Sequence, residues 1–366
     1  MTAGNVLIAI VVIAAVAGGV LVVLWGSPGK PPEPIFKYDS EQLPPTDPAL
    51  IHYRQVMEIQ TQFKELRAVA ASPNGPGYAS YQQPYGAGGP TEMDLNGRVF
   101  VGGDNLVLIY VQFRNEHELT EFGKITLNAD PRCLALDGKG NLYIGTREHI
   151  YVDRAETSPE TWPSLGPKAD IRSIAVTPDG KDIFVADGGN AWVVHYDNTG
   201  KILGYIGRDE KTGEGKFHTE LLHCFDVAVG ADGLVRVVDP QKHAIQTYSL
   251  DGALQTSWEK SGGGIDGFHG CCNPTDIALL PDGNIVTCEK GGGVPRIKVY
   301  DPNGNLVSVV APPGSFKGDS DRLDVAVDRD GRIIAIDPTR KTVRVFEKTA
   351  QTQPDTTSRP EPATRN

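Results

Sequence analysis

An alanine followed five residues later by a glycine recurs six times in this chain of 366 residues. The pairs are Ala70/Gly75, Ala135/Gly140, Ala175/Gly180, Ala228/Gly233, Ala278/Gly283 and Ala326/Gly331. Four of them read Ser/Asp-Ile/Val-Ala-Val/Leu-x-x-Asp-Gly, and neighbouring units are about 40 to 65 residues apart. This spacing is typical of blade-type repeats, so the repeat constrains the architecture before any other motif is considered.

Each unit predicts a small sheet of four antiparallel strands. In the fifth unit the predicted strands are residues 275–280, 284–288, 296–300 and 306–310, separated by turns rich in Gly, Pro, Asp and Asn. Such a sheet has two apolar faces and cannot bury both alone. Packing six sheets face to face around an axis buries them, so we expect an all-β, six-bladed β-propeller.

One strand-like segment has no unit of its own. Residues 53–59 precede the first unit and alternate as a strand does, whereas the sixth unit lacks a clear fourth strand. We expect this segment to supply the outermost strand of the last blade and so to close the ring. The predicted propeller then covers residues 53–348.

The repeat resembles the NHL-repeat family of six-bladed β-propellers (NHL/TolB-like). The resemblance rests on the alanine–glycine pattern, on an acid after the second strand and on glycine-rich links that end in Phe217 and Phe268. The acids are Asp187, Asp239 and Asp337. The resemblance implies the fold and leaves the function open, because such propellers serve as enzymes, protein-binding platforms and ligand sensors.

The first residues form a separate segment. Residues 6–25 contain no charged or polar side chain, and as a helix they would span about 30 Å, the thickness of a bilayer core. We expect residues 1–27 to be an uncleaved transmembrane anchor and residues 28–52 a linker. A cleaved signal peptide is the alternative, with residues 15–17 as its small-residue site.

The orientation of this anchor is less constrained. Lys30 and Lys37 follow the span and no Lys or Arg precedes it, so the positive-inside rule favours a cytoplasmic propeller. We nevertheless expect an extracytoplasmic propeller, because a short N-terminal anchor is a common export device. Residues 349–366 are rich in Thr, Pro and Gln, which predicts a disordered tail.

Cysteine and histidine cluster at one predicted mouth of the ring. Links between blades and turns between second and third strands share one end of a propeller, and these residues lie in or beside them: Cys224, Cys271, Cys272, Cys288, His223, His243 and His269. Three interpretations stay open. The thiols form a structural or redox disulfide, they join the histidines in a divalent metal site, or they are inert buried residues.

Charged residues form a second predicted cluster. Arginine lies three residues before the repeat alanine in units 1 to 3, and aspartate lies two residues before it in units 4 to 6. The residues are Arg67, Arg132, Arg172, Asp226, Asp276 and Asp324. They are candidate ligand-binding residues for a polar ligand or a cation. The alternative is structural: they hydrogen-bond to neighbouring blades and to one another.

These patterns favour a membrane-anchored, extracytoplasmic binding or scaffolding module that presents its mouth to a protein partner or a small polar ligand. The net charge of −11 and the lack of a basic stripe exclude a nucleic-acid binder. We expect no cofactor beyond a possible divalent metal. The alternatives are a metal-dependent lyase or lactonase-like enzyme, which the resemblance implies, and a thiol-redox accessory protein. No catalytic motif supports an enzyme.

Overall fold

The computed structural model describes residues 45–72, 95–113, 118–154, 159–219, 224–270, 272–291, 295–316 and 323–349. These residues form six sheets of four antiparallel strands each, which confirms the predicted all-β, six-bladed propeller. None of the helices among them is long and apolar enough to cross a membrane. The predicted anchor, most of the linker and nearly all of the predicted tail lie outside the described residues.

Blades 1 to 3 follow the chain from the innermost strand outwards. Blade 1 contains β2 (Leu66–Ala71), β3 (Leu95–Gly103), β4 (Leu106–Phe113) and β5 (Leu119–Thr126). Blade 2 contains β6 (Cys133–Leu136), β7 (Leu142–Gly145), β8 (Ile150–Asp153) and β9 (Glu160–Thr161). Blade 3 contains β10 (Ile171–Val176), β11 (Asp182–Asp187), β12 (Trp192–Asp197) and β13 (Ile202–Ile206).

Blades 4 and 5 have the same order, and blade 6 takes its outermost strand from the other end of the domain. Blade 4 contains β14 (Val227–Val229), β15 (Leu234–Asp239), β16 (Ala244–Ser249) and β17 (Leu254–Glu259). Blade 5 contains β18 (Asp276–Leu279), β19 (Ile285–Glu289), β20 (Arg296–Tyr300) and β21 (Leu306–Ala311). Blade 6 contains β22 (Val325–Val327), β23 (Ile333–Asp337), β24 (Thr342–Lys348) and β1 (Tyr53–Gln60).

The predicted ring closure is therefore confirmed. Strand β1 pairs antiparallel with β24 from Tyr53 opposite Lys348 to Gln60 opposite Thr342. The residues just before β1 also contact blade 5, because Ile51 forms a parallel bridge with Val309 of β21. The last part of the predicted linker is thus packed on the propeller.

Apolar packing between the blades holds the ring together. Six clusters of buried side chains lie one at each interface between neighbouring blades, including the interface of blade 6 with blade 1. The innermost strands contact one another in chain order, and β22 returns to contact β2. The repeat alanines lie on these strands, and Ala70, Ala175, Ala228 and Ala326 are buried. A small side chain suits this position because six strands converge on the axis.

One end of the ring carries the candidate functional residues. The innermost strand of each blade begins where the second strand ends, as the pairing of Asp276 with Cys288 in blade 5 shows. We call this end the upper face. It carries the links between blades and the turns between second and third strands, as expected from the sequence.

Candidate functional site

A cavity of about 880 Å³ lies on the upper face over blades 2 and 3. Its walls come from the start of β6, the turn after β7, the links into blades 3 and 4, and the turn after β11. The charged residues of its described lining are Arg132, Arg147, Lys168, Asp170, Arg172 and Glu214. Four of these are cationic and two are acidic, so the described lining has a net positive charge, whereas the chain is acidic.

Two of the predicted arginines meet in this cavity. Arg132 donates to Oδ1 of Asp170 and Arg172 donates to Oδ2 of the same carboxylate. The backbone of Asp170 is itself held at both ends, because its N–H donates to Asp187 Oδ1 at 2.9 Å and its carbonyl accepts from Gly188 N at 2.9 Å. We call Arg132, Asp170 and Arg172 the arginine bridge. It carries one net positive charge.

The third predicted arginine lies apart from the cavity. Arg67 occupies the same repeat position in blade 1, but it pairs with Glu65, two residues earlier, and lies 3.7 Å from Asp130 Oδ2. This pairing matches that of Arg172 with Asp170. The arginine cluster inferred from the sequence is therefore divided between a bridge that lines the cavity and a pair that does not.

The cavity walls are closely packed backbone. A Cβ atom added to Gly189 would lie 1.9 Å from the carbonyl oxygen of Lys168, and one added to Gly215 would lie 2.1 Å from that of Asn190. Only glycine fits at these two positions. In addition, the hydroxyl of Thr219 donates to Gly188 O at 2.8 Å and ties the link into blade 4 to the turn after β11. The walls are thereby held in place before any ligand binds.

Two cations stand at the rim of the cavity. Arg147 and Lys168 are exposed, and no ion pair joins either of them to another residue that the structure describes. We call them the rim cations. Sequence reasoning missed both, because neither occupies a repeat position that could have marked it.

The three predicted aspartates bind the neighbouring blade. Oδ2 of Asp226 accepts from Ile277 N, Oδ1 of Asp276 accepts from Val325 N at 3.1 Å, and Oδ2 of Asp324 accepts from Val69 N at 2.7 Å. Each carboxylate thus covers an edge N–H group of the next innermost strand, which would otherwise be unpaired. These contacts support the structural alternative, in which the aspartates hydrogen-bond to neighbouring blades.

These carboxylates also affect one another. Burial raises the pKa of Asp226 to about 6 and that of Asp324 to about 7. The pKa of Asp276 is raised well above its ordinary value, first by burial and then by the negative charges of Asp226 and Asp324. The interaction between the side chains of Asp276 and Asp324 contributes to the raised pKa of Asp276.

The described cysteines share the upper face. Cys133 and Cys288 are free thiols. Cys271 lies outside the described residues, so a bond between Cys271 and Cys272 stays a prediction. Cys133, which the sequence analysis left out, is the first residue of β6 and aligns with Asp226 in the repeat. Burial is the main cause that raises the pKa of Cys133 and of Cys288, which makes both thiols poor nucleophiles.

The histidines have structural partners. Nδ1 of His243 lies 3.0 Å from Asn273 O, and the backbone N–H of His269 donates to Glu289 Oε2 at 3.0 Å. Burial and the charge of Arg296 lower the pKa of His269. Among the residues that the structure describes, no three His, Cys, Asp or Glu side chains are grouped to hold a metal. His223 lies outside them, so the predicted metal site stays a prediction.

Blade 5 contains a buried charge network that the sequence did not indicate. Glu289 accepts from Arg296 Nη2 at 2.9 Å and lies 2.6 Å from Lys298 Nζ, and all three side chains are almost fully buried. Lys298 also donates to the carbonyls of Ile265 and Gly267 in the link from blade 4. Burial lowers the pKa of Lys298 to about 8. Glu289 thus holds the link from blade 4 in place through two cations on the next strand.

Comparisons with known proteins support the fold alone. No protein family and no curated protein matches the sequence. A structural genomics protein of unknown function from Bacteroides thetaiotaomicron aligns with a TM-score of 0.54 at 13% identity, over 80% of this chain and 75% of its own. The WD40 β-propeller domain of Doa1 aligns with a TM-score of 0.50 at 17% identity, over 81% of this chain and 97% of its own. Membership of the NHL-repeat family stays a prediction.

Proposed function

We propose that the propeller is a binding module for a small anionic ligand, which it holds in the upper-face cavity. The observation that carries this proposal is the local charge. Four cations and two carboxylates are present in the described lining of the cavity, whereas the whole chain has a net charge of −11. On a chain that is acidic overall, a group of cations in one cavity gives an anionic ligand a favourable place to bind.

The size of the cavity supports a small molecule. Sites for small ligands and cofactors enclose about 300–1,000 Å³, and this cavity, at about 880 Å³, falls within that range. Its described lining is mainly polar, and Phe217 is the one large apolar side chain in it. Carboxylate and phosphate groups are the anions that arginine binds best, since the guanidinium group donates in a planar fork.

Preorganisation also supports the proposal. Asp170 orients both guanidinium groups of the arginine bridge before a ligand arrives, and the side chains of Asp170 and Arg172 are only 13% exposed. The cost of ordering these long side chains is therefore met during folding rather than on binding. The tightly packed cavity walls at Gly189 and Gly215 also lower the cost of ordering the site when a ligand binds.

The test compares anion binding in matched arginine variants. Inorganic phosphate and citrate are titrated at constant ionic strength against the wild type, Arg132→Gln, Arg172→Gln and Arg67→Gln, by calorimetry and by thermal unfolding. At ten times its Kd, a ligand stabilises the folded state by about 1.4 kcal/mol. The cavity variants should lose this stabilisation, and Arg67→Gln should keep it.

Arg67 is the appropriate control because its ion pair matches that of Arg172 without lining the cavity. General salting-out by phosphate acts on every variant alike and cancels in the comparison. If Arg132→Gln, Arg172→Gln and Arg67→Gln respond to both anions as the wild type does, the cavity is not an anion site and the proposal fails.

We propose in addition that residues 1–27 anchor the propeller to the membrane on its extracytoplasmic side. The support is the uninterrupted apolar run of residues 6–25. The chain should resist carbonate extraction, and deletion of residues 1–27 should release it without changing anion binding. Protease added outside intact cells, after permeabilisation of any outer envelope, should cleave the propeller. Protection there would reverse the proposed orientation.

A further inference from the structure

We propose that the ligand of the upper-face cavity is a dianion with two separate acidic groups, one bound at the arginine bridge and the other at the rim cations. This inference rests on the proposed function and specifies the ligand class for that same site.

The arginine bridge provides one subsite. Its two guanidinium groups and one carboxylate leave a single positive charge, which matches one acidic group. Arg132 gives only Nη1 to Asp170, and among the described residues it has no second partner. A guanidinium group carries five N–H donors, so Arg132 retains donors for a ligand oxygen. The side chain of Arg132 is 26% exposed, which leaves it within reach of the cavity.

The rim cations provide the second subsite. Arg147 lies in the turn after β7 and Lys168 lies in the link into blade 3, and both line the same cavity as the bridge. Glu214, from the link into blade 4, is the only other acid in the described lining. The two cations and this carboxylate leave one further positive charge. The charged side chains of the described lining therefore balance two negative charges.

The two subsites differ in how strongly salt screens their interaction with an acidic group. The bridge is mostly buried, so its interaction with an acidic group is little screened by salt. The rim cations are exposed, so their contribution falls as ionic strength rises. A ligand with one acidic group should occupy the bridge alone. A second acidic group should add affinity that depends on salt and on the rim cations.

The test uses isosteric ligands that differ only in charge. Succinate, succinamate and succinamide carry two, one and no negative charges near neutral pH, and calorimetry with the 366-residue chain measures their affinities. Malonate and glutarate vary the distance between the two acidic groups. The best dicarboxylate should bind about tenfold more tightly than succinamate, which corresponds to about 1.4 kcal/mol. Succinamide should not bind.

Variants separate the two subsites. Arg147→Gln combined with Lys168→Gln should reduce the preference for the dianion to about twofold or less, weaken succinamate binding much less than dicarboxylate binding, and remove most of the salt dependence of dicarboxylate binding. Arg132→Gln should weaken dicarboxylates and succinamate alike. Arg67→Gln should change neither.

The outcomes also separate this inference from the proposed function. If succinamate binds as tightly as every dicarboxylate, or if the preference for two charges survives in the rim variant, the dianion inference is overturned while the anion site stands. If no carboxylate and no inorganic phosphate binds to the wild type, the proposed function fails and the inference fails with it.

Discussion

The contact between Trp258 and Gly304 gives the sharpest test of how neighbouring blades pack. Gly304 lies in the turn between β20 and β21 of blade 5 with φ +84°, and an added Cβ would lie 2.7 Å from Cδ2 of Trp258, on the outermost strand of blade 4. Trp258 cannot easily withdraw, because its ring packs against Phe268 and Tyr300 at centroid distances of 5.9 and 5.4 Å. Alanine at position 304 must therefore disturb the interface between the two blades.

Gly283 in the same blade is a matched control. It has the same φ of +84°, and nothing lies within 4 Å of an added Cβ. Both Gly283→Ala and Gly304→Ala place a side chain in the left-handed region, which costs about 1–2 kcal/mol. Gly304→Ala should cost about 1–3 kcal/mol more, the usual penalty for overpacking. Urea unfolding followed by far-UV circular dichroism measures the free energy of unfolding of each variant.

A double-mutant cycle isolates the contact. In a Trp258→Ala background the added methyl group has no indole ring to displace, so Gly304→Ala should then cost the same as Gly283→Ala. If the two glycine variants lose equal stability in the wild-type background, the close packing of Trp258 on the turn does not contribute and the reasoning about the interface is refuted.

Buried ionisable groups give three further expectations. Glu289→Ala leaves two buried cations without their carboxylate, so it should lower the free energy of unfolding in urea by about 3–5 kcal/mol. The control Glu259→Ala, at an exposed site, should lower it by less than about 0.5 kcal/mol. Similar losses in the two variants would contradict the buried charge network. The pKa values of Asp276 and Asp324 are raised in the folded state, so the folded state binds more protons than the unfolded chain. The free energy of unfolding should therefore fall by on the order of 2 kcal/mol as pH rises from about 5 to about 8. If Asp276→Asn leaves the dependence of unfolding free energy on pH unchanged, this reasoning is refuted. Cys288, whose pKa burial raises, should resist alkylation in the native protein and react in urea, and rapid native labelling detected by mass spectrometry would show the burial argument to be wrong.

Much of the fold was predictable because each blade is a local structure. The predicted strands of the fifth unit differ from β18 to β21 by at most one residue at each end. The hairpins form between segments that are close in sequence, so turn residues and alternating apolar positions specify them. The closing strand β1 was predictable because an unpaired strand and an incomplete blade stood at opposite ends of the domain.

The candidate site was predictable only in part. The repeat position marked Arg132 and Arg172, but the analysis of the sequence did not single out Asp170, which joins them. The signal was present, because an acid lies two residues before the arginine in units 1 to 3, as Glu65, Asp130 and Asp170. Lys298 likewise looked like an ordinary strand residue, although it is buried beneath the link from blade 4. Which side chains meet across a blade interface depends on how far each sheet twists and how closely it packs on the next, and sequence spacing does not encode either quantity.

The sequence by itself determined the number of blades, the order of strands within them and the end of the ring where links and turns gather, because these follow from short-range periodicity and from the need to bury both faces of each sheet. Only the tertiary structure decided which charges share a cavity and which are used to hold the ring together. Arg132 and Arg172 line the cavity, whereas Asp226, Asp276 and Asp324 cover the edge of the next strand. The difference arises because the arginines and the aspartates occupy adjacent rather than equivalent positions of the repeat, and neighbouring side chains of a strand leave it in different directions.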